Sequence, residues 1–166
     1  MTLGRRGCDD AQESIREALA ELEEIRTILL KAIDEDSESF NGFMAALKMP
    51  KNTEEEKVLR KTAMSQALKT ASLVPLKVAG QSVRIFKFSR LMLERGNKNA
   101  ATDAMVSALA ARTAAIGALL NVRINLRLIH DPEFVRTTLE EVLRLETLTN
   151  EQEKEITEIG YQLLNQ

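Results

Sequence analysis

The side chains of this sequence best placed to do chemistry gather at one polar interruption, Gly96 to Asp103, set between long apolar-periodic stretches. Asp103 offers a carboxylate able to give or take a proton, and Asn97, Lys98 and Asn99 offer amide and ammonium groups beside it. Spacing alone leaves Asp103 open to two readings: a proton-transfer group, or a charge favoured by the positive end of a helix dipole. Asp36 is a second candidate, because it falls where an apolar stripe should continue; a carboxylate there must be hydrated, paired or functional.

Other chemistries find little support. Cys8 is the only cysteine, and a nucleophilic thiol needs a nearby base, whereas the single histidine, His130, is distant in sequence. His130 itself reads as a structural or exposed loop residue. No His/Cys cluster has metal-ligand spacing, and no glycine-rich phosphate loop is present. The formal net charge of −2 and 4% aromatic content argue against a basic nucleic-acid surface or a base-stacking platform. No apolar run reaches the ~20 residues of a bilayer span. The Ala-rich stretch 104–120, interrupted by Arg112, reads as a buried helix. A lone cysteine and no signal-peptide pattern at the start lead to the expectation of a cytoplasmic protein.

The elements that must hold these groups are helices. With 166 residues and 44% hydrophobic content the chain suits one domain, residues 1–166, with a core that needs no disulfide. Apolar residues recur with helical spacing at Ile15, Leu19, Leu22, Ile25, Leu29 and Ile33, then at Phe40, Phe43, Met44 and Leu47. Met49-Pro50 ends that helix. Thr53 and Glu56 form a capping box for a second helix over about 54–94, which Pro75 should kink. Gly96 suits a left-handed C-cap. A third helix begins between Asn99 and Thr102 and reaches about Ile129; its alanine content predicts a central position. Asp131 and Pro132 start the last segment, one helix or two, to about Leu164. The fold class is all-α: a bundle of long helices.

Asp103 and Asn121 lie about five turns apart on one face of the third helix, with Ser107 and Asn125 near the same direction. Ala110, Ala114 and Gly117 lie between them. Such a face is either a ligand groove or a close helix–helix contact. About 27 Å separates Asp103 from Asn121, so the two cannot attend one reacting carbon within one chain.

Several stretches together resemble the cyclodeaminase domain of formiminotransferase-cyclodeaminase and its stand-alone relatives, the methenyltetrahydrofolate cyclohydrolases. They are Met1-Thr2-Leu3-Gly4-Arg5-Arg6, Asp34-Glu35-Asp36-Ser37-Glu38-Ser39-Phe40 and Met49-Pro50-Lys51-Asn52-Thr53-Glu54-Glu55-Glu56-Lys57. After them come Val74-Pro75-Leu76, Gly96-Asn97-Lys98-Asn99 with Thr102-Asp103, and Asn121-Val122-Arg123-Ile124-Asn125-Leu126. The resemblance implies a helical, dimeric enzyme of folate one-carbon metabolism whose tetrahydrofolate substrate needs no further cofactor. It implies proton transfer by Asp103, with Asp36 second. It also implies amides of Asn97, Asn99, Asn121 or Asn125 on pterin edges, and Lys48, Lys51, Arg5 or Arg6 on the substrate's glutamate tail. The family's glycine-rich Pro-Gly-Gly-Gly-Ser-Val-like loop and the helix after it have no counterpart here. The expectation is therefore a domain shortened at its N-terminus, with apolar surface left for association. The competing expectation is a non-catalytic helical module that assembles through Ala110, Ala114 and Gly117.

Overall fold

The computed structural model describes residues 2–165; Met1, which opens the first stretch quoted above, lies outside them. Among the described residues there are four long helices and no strand: α1 (Gln12–Leu47), α2 (Glu54–Arg95), α3 (Ala101–Leu126) and α4 (Pro132–Leu164). Short 3-10 turns, Asp9–Ala11 and Lys98–Ala100, lead into α1 and α3.

Local chemistry sets most of the boundaries. Thr53 Oγ1 accepts from the Glu56 amide at 3.1 Å while the Glu56 carboxylate accepts from the Thr53 amide at 3.2 Å, the reciprocal box expected from the sequence. Asp131 accepts from the Phe134 amide at 3.1 Å, and Pro132 takes the first position of α4. That helix runs unbroken to Leu164, past Thr149-Asn150.

The centre of the bundle is α2, which packs on all three other helices, and not α3. One side of α3 meets α2 and α4 through Ala104, Ala108, Ala111, Ala115, Leu119 and Val122. The other side carries Val106, Leu109, Leu120 and Ile124 into solvent. Only 28% of its most apolar stretch is buried, although by length and composition α3 could cross a membrane. The expectation of a buried central helix thus fails. Alanine content signals close packing, but it does not say on how many sides a neighbour exists.

The buried line of α1 also differs from the expected stripe. Ala18, Ile25, Ala32, Ser39 and Ala46 face the bundle, a strict seven-residue spacing. Seven residues are almost two full turns, so this seam keeps facing one neighbour along its length, as in a coiled coil. Leu19, Ile33 and Phe40 point outward. Asp36 and Ser37 are exposed as well, so the carboxylate suspected of interrupting the core does not enter it. Ion pairs fasten α1 to α2: Glu21 with Arg84 and Lys87, each at 2.6 Å, and Glu35 with Lys77 at 2.8 Å.

Pro75 lies inside α2, which continues through it. A proline has no amide hydrogen, so the carbonyl of Ala71 loses its helical donor. The side-chain amide of Asn125 on α3 supplies one at 2.9 Å.

Candidate active site

The Gly96–Asp103 interruption is shaped by a steric requirement at its first residue. Gly96 has φ −83° and ψ −176°, extended and not left-handed, so the expected cap conformation is absent. Glycine is needed there for room: a Cβ would lie 2.3 Å from the Met92 carbonyl oxygen. The chain then turns through Asn97, whose Oδ1 accepts from the Asn99 amide at 3.1 Å and caps the 3-10 turn. That turn delivers Asp103 into the first turn of α3.

The N-terminal segment folds over this corner. The buried hydroxyl of Thr2 accepts from the Asn97 amide at 3.2 Å. Gln12 holds the segment by donating to the carbonyls of Thr2 and Cys8, at 3.1 and 2.9 Å, and accepting from the Gly4 amide at 2.9 Å. Gly4 and Gly7 supply left-handed turns, with φ +70° and +82°. Arg95 donates to the Asp10 carbonyl and to Ser14 Oγ.

Two hollows result, one on each side of the 97–100 turn. The first, about 390 Å³, is polar; Arg5, Arg6 and Arg95 face Asn97, Lys98 and Asn99 across it. The second, about 210 Å³, is a mostly apolar groove between α1, α2 and α3. Leu22, Ile85, Phe88 and Met92 form its apolar wall, and Asp103 and Ser107 its polar rim. Ser89 lines the same groove, and its Oγ is buried with no hydrogen-bond partner among the described residues. Burying a hydroxyl unpaired costs roughly 1–3 kcal/mol, so Ser89 is an unusual residue of the groove lining. The groove can hold a small, largely apolar body beside one carboxylate, while the polar hollow mixes Arg5, Arg6 and Arg95 with Asp10 and Glu94.

Of the candidate residues, Arg5, Arg6, Asn97 and Asn99 line the polar hollow, and Asp103 lines the groove on the other side of the turn. The structure does not bring the others to them. Asp36 lies 14 positions beyond Leu22 on α1, about 21 Å along the helix. Lys48 is exposed just past the end of α1, and Lys51 lines a cavity at the opposite end of the bundle. Asn121 is exposed on α3 near its C-terminal end, about 27 Å along the helix from Asp103. Asn125 donates its side-chain amide to the Ala71 carbonyl of α2.

Residues 1–144 match the family described as Formiminotransferase-cyclodeaminase. The chain belongs to the formiminotransferase-cyclodeaminase family. Over 142 residues it is 32% identical to the methenyltetrahydrofolate cyclohydrolase of Methylorubrum extorquens, covering 86% of this chain and 68% of that protein. Over 145 residues it is 34% identical to the formimidoyltransferase-cyclodeaminase of Gallus gallus, covering 87% of this chain but only 27% of that longer protein. The fold matches the crystal structure of formiminotetrahydrofolate cyclodeaminase from Thermotoga maritima with a TM-score of 0.86 at 26% identity. That match covers 98% of this chain and 77% of the other.

For this family member, sequence reading missed Ser89, Thr2 and Gln12. Ser89 looks in sequence like any small residue of a long helix. Its importance comes from the empty space beside it, which only packing reveals. Gln12 and Thr2 act through contacts across the N-terminal turn, where no periodicity exists to mark them.

Proposed function

We propose that this chain is an enzyme of folate one-carbon metabolism, acting at the one-carbon bridge of 5-formiminotetrahydrofolate or 5,10-methenyltetrahydrofolate with Asp103 as the proton-transfer group. The observation that carries this reading is the Asp103 carboxylate on the rim of a groove that also contains the unpartnered Ser89 hydroxyl. The names of the relatives supply the substrate class.

In both reactions a nucleophile, the substrate's arylamine nitrogen or water, adds to a carbon flanked by nitrogens and gives a tetrahedral centre. A carboxylate takes a proton from the adding group, and the departing nitrogen needs one to leave. A positioned acid–base group of this kind contributes about 10²–10⁴-fold in rate. The groove takes the pterin, with Ser89 and Ser107 in its lining and the Asn97–Asn99 turn bounding the neighbouring polar hollow. Arg5 and Arg6 attract the carboxylates of the tail. The proton transfers themselves call for no redox group.

The test is the absorbance of 5,10-methenyltetrahydrofolate. Asp103→Asn should lower kcat about 10²–10⁴-fold with little change in folding, since Asp103 is exposed. A variant as fast as the parent chain, or a parent chain no faster than buffer, overturns the assignment.

The same reading includes a homodimer built on the outer face of α3. Val106, Leu120 and Ile124 are 63%, 60% and 53% exposed there, flanking Ala110, Ala114 and Gly117. Side chains this small let a second helix approach closely, and so much exposed apolar surface is unusual for a chain that stays alone. Ala114→Leu should then convert dimer to monomer in multi-angle light scattering. A monomeric parent chain, or a dimer indifferent to the substitution, counts against it.

A further inference from the structure

A cavity of about 450 Å³ lies at the end of the bundle opposite Asp103. The length of α3, 26 residues or about 39 Å, separates the two. One wall is a single face of α2, where Lys57, Arg60, Lys61 and Met64 follow one another at helical spacing. Lys51, from the α1–α2 connection, and His130, from the α3–α4 connection, close the other sides. Met64, Leu68 and Leu128 give it an apolar floor.

Charge here runs against the chain as a whole. The net charge of the protein is −2, yet four of the lining residues are Lys or Arg and none is Asp or Glu. Two of the four cations are partly occupied: Lys57 pairs with Glu54 at 2.6 Å, and Arg60 donates to the Leu47 carbonyl at 3.1 Å. Lys51 and Lys61 have no ion-pair partner among the described residues. Like charges crowded round a concave apolar surface repel one another, and field lines concentrate in such a hollow. The volume falls within the range of small-molecule sites.

We propose that this cavity is a binding site for a small amphiphilic anion: an aromatic or short aliphatic body carrying at least two carboxylate or phosphate charges. The body rests on Met64, Leu68 and Leu128. The anionic groups meet Lys51 and Lys61, with the Arg60 guanidinium between them. The site is separate from the groove at Asp103 and does not depend on the folate reading.

His130 makes the test direct, because it is the only histidine in the chain and its imidazole proton signals in NMR are unambiguous. The protein is titrated with p-aminobenzoylglutamate, an aryl dicarboxylate, and with phenyl phosphate. Glutarate and inorganic phosphate serve as the same charges without the body. The expected result is a saturable shift of the His130 signals by at least one aryl anion, with affinity falling as salt rises. The body-less anions should bind more weakly. Which aryl probe binds more tightly distinguishes a carboxylate ligand from a phosphate one. Lys61→Glu and Lys51→Glu, both at exposed positions, should each weaken binding about ten-fold, whereas Asp103→Asn should leave it unchanged. Failure of all four anions to shift His130 saturably overturns the proposal, as does a shift that survives both charge reversals. Either outcome leaves the Asp103 assignment standing.

Discussion

Removing the side-chain amide of Asn125 should damage the fold in a way that a change at Pro75 repairs. In α2 the carbonyl of Ala71 would ordinarily accept from the amide of residue 75, and proline has none to give. Asn125 Nδ2 fills the gap at 2.9 Å from α3. Asn125→Leu keeps much of the volume and removes the donor. Leaving a buried carbonyl unpaired costs about 1–3 kcal/mol. Asn125 and Ala71 are only partly buried, so water can recover some of this, and about 1–2 kcal/mol is expected. For a chain of this size that is a fall in Tm of about 2–8 °C. In a Pro75→Ala background the helix supplies its own donor, and Asn125→Leu should then cost about 0.5 kcal/mol or less. The coupling in the double-mutant cycle should reach about 1 kcal/mol, well above the scatter of independent sites. Urea unfolding followed by helical circular dichroism measures all four corners, with m values checked for constancy. Equal losses in the two backgrounds would refute the reasoning, because Asn125 would then be stabilising something other than the Ala71 carbonyl.

Two further predictions concern the corner and the ion pairs. Gly96→Ala should destabilise by about 1–3 kcal/mol despite an ordinary φ, since the obstacle is the Met92 backbone, and it should also slow turnover by displacing the 97–100 turn; unchanged thermal melting would refute it. Lys87 and Arg84 hold Glu21 below the usual carboxylate range, as Lys77 does Glu35, Arg90 does Glu155, and Lys69 with the Phe134 amide does Asp131. Their contribution is complete above the ordinary Glu value of 4.5 and is lost as pH falls through the lowered folded values. The urea midpoint should therefore change little from neutrality to about pH 5 and drop below it; a midpoint that rises on acidification contradicts the assignment.

What could be read from the sequence was what neighbours in the chain decide. The Thr53–Glu56 box and the Asp131-Pro132 start are made within one turn, and both appear as expected. The buried side of α1 was legible in part: Ile15 and Ile25 of the expected stripe are buried, but Ala18, Ala32, Ser39 and Ala46 give weaker signals than the exposed Leu19, Ile33 and Phe40 beside them. Gly96 was recognised as necessary, but for conformation when the reason is space. The roles of Asn125 and Ser89 depend on what lies across from them, a freed carbonyl in one case and an empty groove in the other. The corner around Asp103 was visible as a break in periodicity. The Arg5–Arg6 wall beside it came from resemblance, since nothing in the spacing of residues 2–8 predicts where that segment lands.

The way α1 is held has a consequence for the order in which the molecule comes apart. Its seam is made of small side chains, its own apolar cluster is Ala18 and Ile25 against Phe88, and surface ion pairs supply much of the rest. The large core lies between α2, α3 and α4. The amides of α1 should therefore exchange with solvent through an opening that leaves the other three helices protected, as a cooperative unit of lower stability. Residues 2–8 are tied to the first turn of α1 through Gln12, so they travel with it, and the arginine wall leaves the corner whenever α1 detaches. Cys8, buried at 6% exposure in that segment, becomes reactive only then. The molecule thus carries a thiol clock for this opening, whose rate of modification counts how often the corner is dismantled while the rest of the bundle stays folded.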